Sequence, residues 1–363
     1  MLYIKNMLNI ILDWKKFWFG LIFLGSVLNA IAKESTYFRL YRKYFILGFF
    51  ARRADWINCT TERRVAMNKF SDIAPEFSFE KEKIIAKSLS KRFQWEMILI
   101  GLGQAFIWLT LWPLVFYGYI PLFMGFLIAT ICACFAYLPS HESQHGNYSR
   151  GNPKLRWLDA LVGHITLITL IYPYEILRVT HMKHHAYAND PEKDPDYNNA
   201  HAKSLFHVIK IAADGSSTDF KKYLEIFNKD KAFINSMNKG MPVALLLRAT
   251  LMVLVVLFPL ETLLLWWLPA KIGTIYTTVF FSYYPHQGTS TGRYKDTRFW
   301  SHWMPRFLNH SMQLHFIHHL HPSIGHFDEP KAVEALKPFL IARNVPGADQ
   351  IPDRITYNPL IKF

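Results

Sequence analysis

Two long stretches with almost no charge constrain this chain most. From Gln94 to Pro139 it reads QWEMILIGLGQAFIWLTLWPLVFYGYIPLFMGFLIATICACFAYLP, in which Glu96 is the only charge. From Pro242 to Pro285 a stretch of similar length carries only Arg248, Glu261 and Lys271. A bilayer crossing takes about 20 apolar residues, so each stretch accommodates a pair of crossings and a tight turn. The first turn is expected near Gly118–Pro121. The second is expected over Pro259–Pro269, where Trp266 and Trp267 would sit as interfacial aromatics. The 363 residues would suffice for two soluble domains. Charged residues, however, make up only 19% of the chain, against about 25% in soluble domains, and the apolar ones are bunched. The chain is therefore read as an all-α integral membrane protein, with four transmembrane helices in two hairpins and a cytoplasmic helical cap.

Lys and Arg exceed Asp and Glu by 41 to 27, a net charge of +14. The basic residues flank apolar windows, which points to a membrane surface, and no nucleic-acid-binding module is visible. Residues 1–94 carry 17 Lys and Arg, so the positive-inside rule assigns them to the cytoplasm. The expected organisation is then a basic cytoplasmic or interfacial region (1–94), hairpin 1 (95–139), a cytoplasmic segment (140–241), hairpin 2 (242–285) and a cytoplasmic segment (286–363). Phe17–Ala32 is short for a crossing and reads as an interfacial or core helix. Residues 155–176 read as a helix lying on or slightly in the membrane. Cys59, Cys132 and Cys134 are too few for a disulfide framework or an iron–sulfur cluster.

The chemistry lies in the histidines. Of sixteen, eight fall into three clusters: His141 and His145; His181, His184 and His185; His315, His318 and His319. Spacings of three and four place each cluster on one helix face. All three follow apolar segments on the same expected side of the membrane, so eight imidazoles from three chain segments can converge on a metal site. Cys-rich structural zinc is excluded. So many histidines suit two ions of higher coordination number, but imidazole alone leaves iron, zinc, copper and nickel open. Glu142 is a helix-surface acid or one that orients a ligand. Asp190-Pro-Glu-Lys-Asp194-Pro-Asp196 is a turn sequence, and one of its acids can take the second N–H of a metal-bound histidine. Arg293, Lys295 and Arg298 are surface charges or a receptor for an acidic partner. His310 reads as structural, His164 as a packing residue, and His201, His207 and His302 have no assignment. A histidine-rich metal transporter is a distant alternative, because transporters hold ionisable groups near the midplane and these clusters fall outside the apolar windows.

With its three histidine clusters, the chain resembles the membrane fatty acid desaturase superfamily over roughly residues 95–335. Within it, HMKHHAYANDPEKDPDY (181–197), YYPHQGTSTGRYKDTR (283–298) and HFIHHLHPSIGHF (315–327) look most like the beta-carotene hydroxylase branch of the cyanobacterial and plant-like kind. The resemblance implies a di-iron centre that uses dioxygen on C–H bonds of a lipid. It also implies a ninth ligand, an isolated histidine matched by His286, which stands 29 residues before His315. His321 recurs in some branches and is carried as a candidate ligand or ligand-orienting residue. Such chemistry needs outside electrons. The chain has no Cys-rich cluster, dinucleotide-binding glycine loop or haem-binding segment, so a separate donor is expected, such as a ferredoxin or a b-type cytochrome. Carotenoid ring hydroxylation is the favoured outcome, with fatty acyl desaturation as the alternative.

Overall fold

The computed structural model describes residues 75–215, 220–301 and 305–356. Phe17–Ala32, Cys59 and His302 lie outside them. Among the described residues there is no strand, and the main helices are α1 (Phe79–Leu89), α2 (Trp95–Phe116), α3 (Leu122–Gln144), α4 (Arg156–Leu167), α5 (Tyr174–Tyr187), α6 (Leu205–Asp214), α7 (Lys231–Leu257), α8 (Pro259–His286), α9 (His315–Leu320) and α10 (Glu329–Ala342), besides the short helix Phe220–Ile226 and single turns.

Four of these, α2, α3, α7 and α8, are long and apolar enough to cross a bilayer, at 22, 23, 27 and 28 residues. At about 1.5 Å per residue, even the shortest exceeds a hydrocarbon core of about 30 Å. The outer faces of α2, α3 and α7 expose Leu99, Phe106, Leu109, Phe123, Ile131, Leu246, Val253 and Val256. So large an apolar surface is stable only in lipid, and the protein is an integral membrane protein.

The first hairpin turns where the sequence places it. The backbone at Gly118 is left-handed (φ 75°), and Tyr117 and Tyr119 project outward at the turn. The second hairpin differs from expectation: Pro259–Pro269 is not a turn but the start of α8, and only Phe258 separates it from α7. Pro259 suits the first helical position, where its missing N–H costs nothing. Pro269 lacks the N–H that the Leu265 carbonyl would receive in a regular helix, and that carbonyl instead accepts from Trp108 Nε1 at 2.7 Å. Trp266 is buried rather than interfacial, 5.4 Å from the Trp108 ring and donating to Ile168 O at 2.8 Å.

The expected helix over 155–176 is also broken. After α4 the chain reverses at Ile171, a left-handed residue (φ 60°), and leaves through Pro173. The Pro153–Leu170 and Tyr174–Tyr187 arms meet at 99°. The corner fits because residue 163 is glycine: a Cβ there would meet the Tyr174 ring at 2.2 Å and Ser143 Oγ at 2.6 Å. Together α4 and α5 form a bracket against α3 and α7.

Outside the membrane frame, α1, α9 and α10 share one core built on Phe316, Ile317, Leu336 and Leu340. This cap seats the third histidine cluster against the ends of the membrane helices.

Candidate metal centre

Each cluster is delivered by a helix end. Helix α3 continues through Pro139 to Gln144, so His141 occupies its last turn and His145 caps it. The helix thus runs past Pro139 and keeps both rings on one face. His181, His184 and His185 lie on the C-terminal half of α5, and His315, His318 and His319 make up half of α9. His286 is the last residue of α8, directly after a π-helical turn over Thr278–Tyr283. Such wide turns reset a helix's facing and recur at functional sites.

All nine imidazoles converge. His141, His145, His181, His185 and His318 form one group, and His184, His286 and His319 a second, with the ligand atoms of each group within 4.8 Å of one another. His315 belongs to neither group and lies between them, its ring 5.1 Å from His318, 4.8 Å from His319, 5.7 Å from His141 and 6.0 Å from His286.

Within the larger group, four Nε2 atoms close a ring: His145 to His181 at 2.8 Å, His181 to His185 at 3.1 Å, His185 to His318 at 3.1 Å and His318 to His145 at 3.0 Å. This spacing tests the fit to a metal. For a metal–nitrogen bond of about 2.1 Å, ligands at right angles place their nitrogens about 3.0 Å apart, and tetrahedral ligands about 3.4 Å. The ring matches the right-angled set, that of five- or six-coordinate ions. Both nitrogens of His141, a fifth ring beside this one, are buried without a partner.

Electrostatics points the same way. Burial, reinforced by neighbouring imidazoles, pushes the pKa of His181, His185, His315, His318 and His319 well below the usual value. They are neutral near pH 7, with lone pairs available to a metal. His184 is the exception: burial, the largest single influence, disfavours its charge, but Asp194, aided by Asp196 and Asp296, raises the pKa to about 9.

The acids named from sequence divide by geometry. Asp194 is fully buried and accepts from His184 Nδ1 at 2.8 Å, which leaves Nε2 to point inward. Asp190 only closes its own turn, accepting from the Glu192 and Lys193 N–H groups. Asp196 accepts from Ser282 Oγ at 3.0 Å, fastening the loop to α8. Glu142 accepts from Asn147 Nδ2 at 3.1 Å and from the His326 N–H at 3.3 Å, tying the first cluster to the chain after the third. His321 turns away from the imidazoles and pairs with Glu82 at 2.9 Å, in a buried set completed by Tyr294 and Arg343. Arg293 and Arg298 donate to the carbonyls of Leu320 and Tyr284 and so hold the fold, while Lys295 is exposed.

Sequence reasoning missed several residues. Asp296 accepts from His286 Nδ1 through its backbone carbonyl at 2.8 Å, and its carboxylate lies 3.7 Å from His319 Nδ1. Nothing in a lone Asp within GRYKDTR signals this. Asn309, His310 and Gln313 are buried with no partner for any side-chain polar atom. The His310 ring packs on Phe135, Tyr276 and Phe281. A run of unpaired polar groups beside a cluster is visible only once the fold is known.

Comparison with known proteins agrees with this geometry. The chain matches the family described as fatty acid desaturase over residues 117–347. It is similar to sn-1 oleoyl-lipid 12-desaturases of Picosynechococcus sp. (36% identical over 76 residues, 21% of this chain and 20% of the relative), Anabaena variabilis (26% over 98 residues, 27% and 25%) and Synechocystis sp. (37% over 59 residues, 16% of each). The aligned stretches thus span a quarter or less of these relatives' own length.

Proposed function

Because the chain belongs to the fatty acid desaturase family, we propose that it is an oxygen-dependent di-iron oxidoreductase that desaturates the acyl chain of a membrane lipid. The observation that carries this reading is the convergence of nine imidazoles, in groups of five and three with His315 between, at the ends of membrane-crossing helices. A pair of iron ions bound there would supply the activation of dioxygen needed to break an unactivated C–H bond. The proposed ligands are His141, His145, His181, His184, His185, His286, His315, His318 and His319.

The remaining roles fall to the chain itself. Asp194 and the Asp296 carbonyl each hold a ligand's Nδ1–H, which fixes the tautomer and aims Nε2 at the metal. On the membrane side, Phe281 and Tyr137 pack edge-on to each other at 4.9 Å, and each ring centre lies 5.7 Å from that of His141. These aromatic walls shield the centre from water and offer an apolar approach to a lipid chain. Dioxygen ends as water, using the hydrogens taken from the substrate together with electrons and protons from outside, so a separate donor such as a ferredoxin or b-type cytochrome completes the cycle. The cap segments (140–241 and 286–363) face the cytoplasm in this reading, on the same side as the basic residues of 1–94.

Carotenoid ring hydroxylation is the second reading, resting on the stretches 181–197, 283–298 and 315–327. The named relatives, all oleoyl-lipid desaturases, weigh for the acyl substrate. Expression in a bacterium that accumulates beta-carotene, followed by pigment and acyl-chain analysis, tests both. New acyl double bonds are expected. Oxygenated pigment with unchanged acyl chains would transfer the assignment to the second reading, and stoichiometric zinc with activity retained would overturn the di-iron reading.

A further inference from the structure

One asparagine joins the two loops that orient the three-imidazole group. Asn189 lies just after α5, 4% exposed, with a left-handed backbone (φ 67°). Asn enters that region more readily than most residues because its short side chain bonds locally. Its backbone N–H donates to Asp194 Oδ2 at 2.8 Å. Its side-chain Nδ2 donates to the Asp296 carbonyl at 2.8 Å and approaches Thr289 Oγ1 at 3.1 Å and the Ser290 carbonyl at 3.2 Å. Its Oδ1 accepts from His201 Nε2 at 3.1 Å.

Those partners are the groups that orient ligands. Asp194 carries His184, and the Asp296 carbonyl carries His286 while the Asp296 carboxylate faces His319. Asn189 is therefore one bond removed from the acceptors of the smaller group, and its hydrogen bonds reach none of the five imidazoles of the larger group. His184 Nε2 and His286 Nε2 stand 3.2 Å apart, although they come from segments separated by a hundred residues. Some group must keep the Asp194 loop and the 287–296 loop in register.

We infer that Asn189 is a positioning residue that holds these loops together and thereby sustains metal binding at the His184–His286–His319 half of the centre alone. The inference rests on the di-metal reading above and goes beyond it by giving the two halves separate supports. Losing an outer hydrogen-bonding partner of a ligand lowers metal affinity by roughly 10- to 100-fold, so a variant should weaken one metal and leave the other.

The test is iron stoichiometry and iron titration of the purified full chain in detergent, for the natural protein, Asn189→Ala and Asn189→Gly. The glycine variant keeps the left-handed backbone and the N–H to Asp194 while removing the side chain, and it stands in where the alanine variant fails to accumulate. The natural protein should hold a pair of irons per chain, and its failure to do so would sink the di-metal reading itself. Both variants should keep one iron at natural affinity and bind the other 10- to 100-fold more weakly. Retention of both irons at natural affinity, or loss of both in parallel, would overturn the inference. A glycine variant that binds both irons like the natural protein would do so as well, by assigning the effect to the backbone.

Discussion

Removing the Asp194 carboxylate is the sharpest perturbation available, because that group does structural and metal-directed work at once. It is fully buried and takes three donors: His184 Nδ1 at 2.8 Å, the Asn189 N–H at 2.8 Å and the Asp196 N–H at 2.9 Å. In Asp194→Ala both backbone N–H groups lose their acceptor. A buried donor left unpaired costs about 1–3 kcal/mol, so the two together should cost roughly 2–6 kcal/mol. His184 also loses the partner that fixes its tautomer, worth about 10- to 100-fold in metal affinity. Asp194→Asn should be milder. Its carbonyl can still accept from His184 and from Asp196, which share Oδ1, while its amide faces the Asn189 N–H, leaving one donor unpaired at about 1–3 kcal/mol. The expected order of both thermal stability and iron content is natural protein, then Asn, then Ala. Thermal unfolding in detergent and iron analysis of the same samples read this directly. An alanine variant that binds iron fully and unfolds within about 0.5 kcal/mol of the natural protein would refute the assignment of Asp194 to His184.

Three further outcomes are expected. His286→Ala should be as inactive as His315→Ala at matched membrane expression, whereas His207→Ala, whose Nδ1 accepts from the Lys203 N–H, should keep most of its product formation; an active His286→Ala protein would remove that residue from the ligand set. Reporter fusions at Lys203 and at Asp353 should both report the cytoplasm, and opposite sides would be incompatible with a shared centre. His310→Phe should keep its metal, and its thermal stability should reflect a gain of about 1–3 kcal/mol from replacing unpaired ring nitrogens among Phe135, Tyr276 and Phe281 with carbon, offset by the strain of a bulkier ring on a left-handed backbone (φ 54°); loss of the metal would show that this ring does more than pack.

What was legible in the sequence is what depends on length and local spacing. A bilayer demands apolar helices of a minimum length, so four crossings follow from two nearly uncharged windows, and the turn at Gly118–Pro121 follows from the residues that make turns. Spacings of three and four put the histidines on shared faces before any tertiary contact is known. Two of the failures involve a partner far away in the chain. Pro269 looks like a helix breaker until Trp108, from another helix, supplies a donor to the Leu265 carbonyl. His321 looks like a neighbour of His319 until Glu82, 239 residues away, claims its ring. Asp190, Asp194 and Asp196 are equivalent in a loop of Asp and Pro, and only the placement of α5 singles out the one that meets His184. Asn189 and Asp296 carry no chemical signature, because an amide or a main-chain carbonyl becomes a support only when the loop opposite arrives within hydrogen-bonding reach. The clustered histidines can thus be read from their own spacing, while the groups proposed to aim them carry no such signal: Asp194 and Asp296 each lie ten residues from the histidine they meet, and Asn189 joins their loops across 107 residues, so substitutions there test how the centre is assembled.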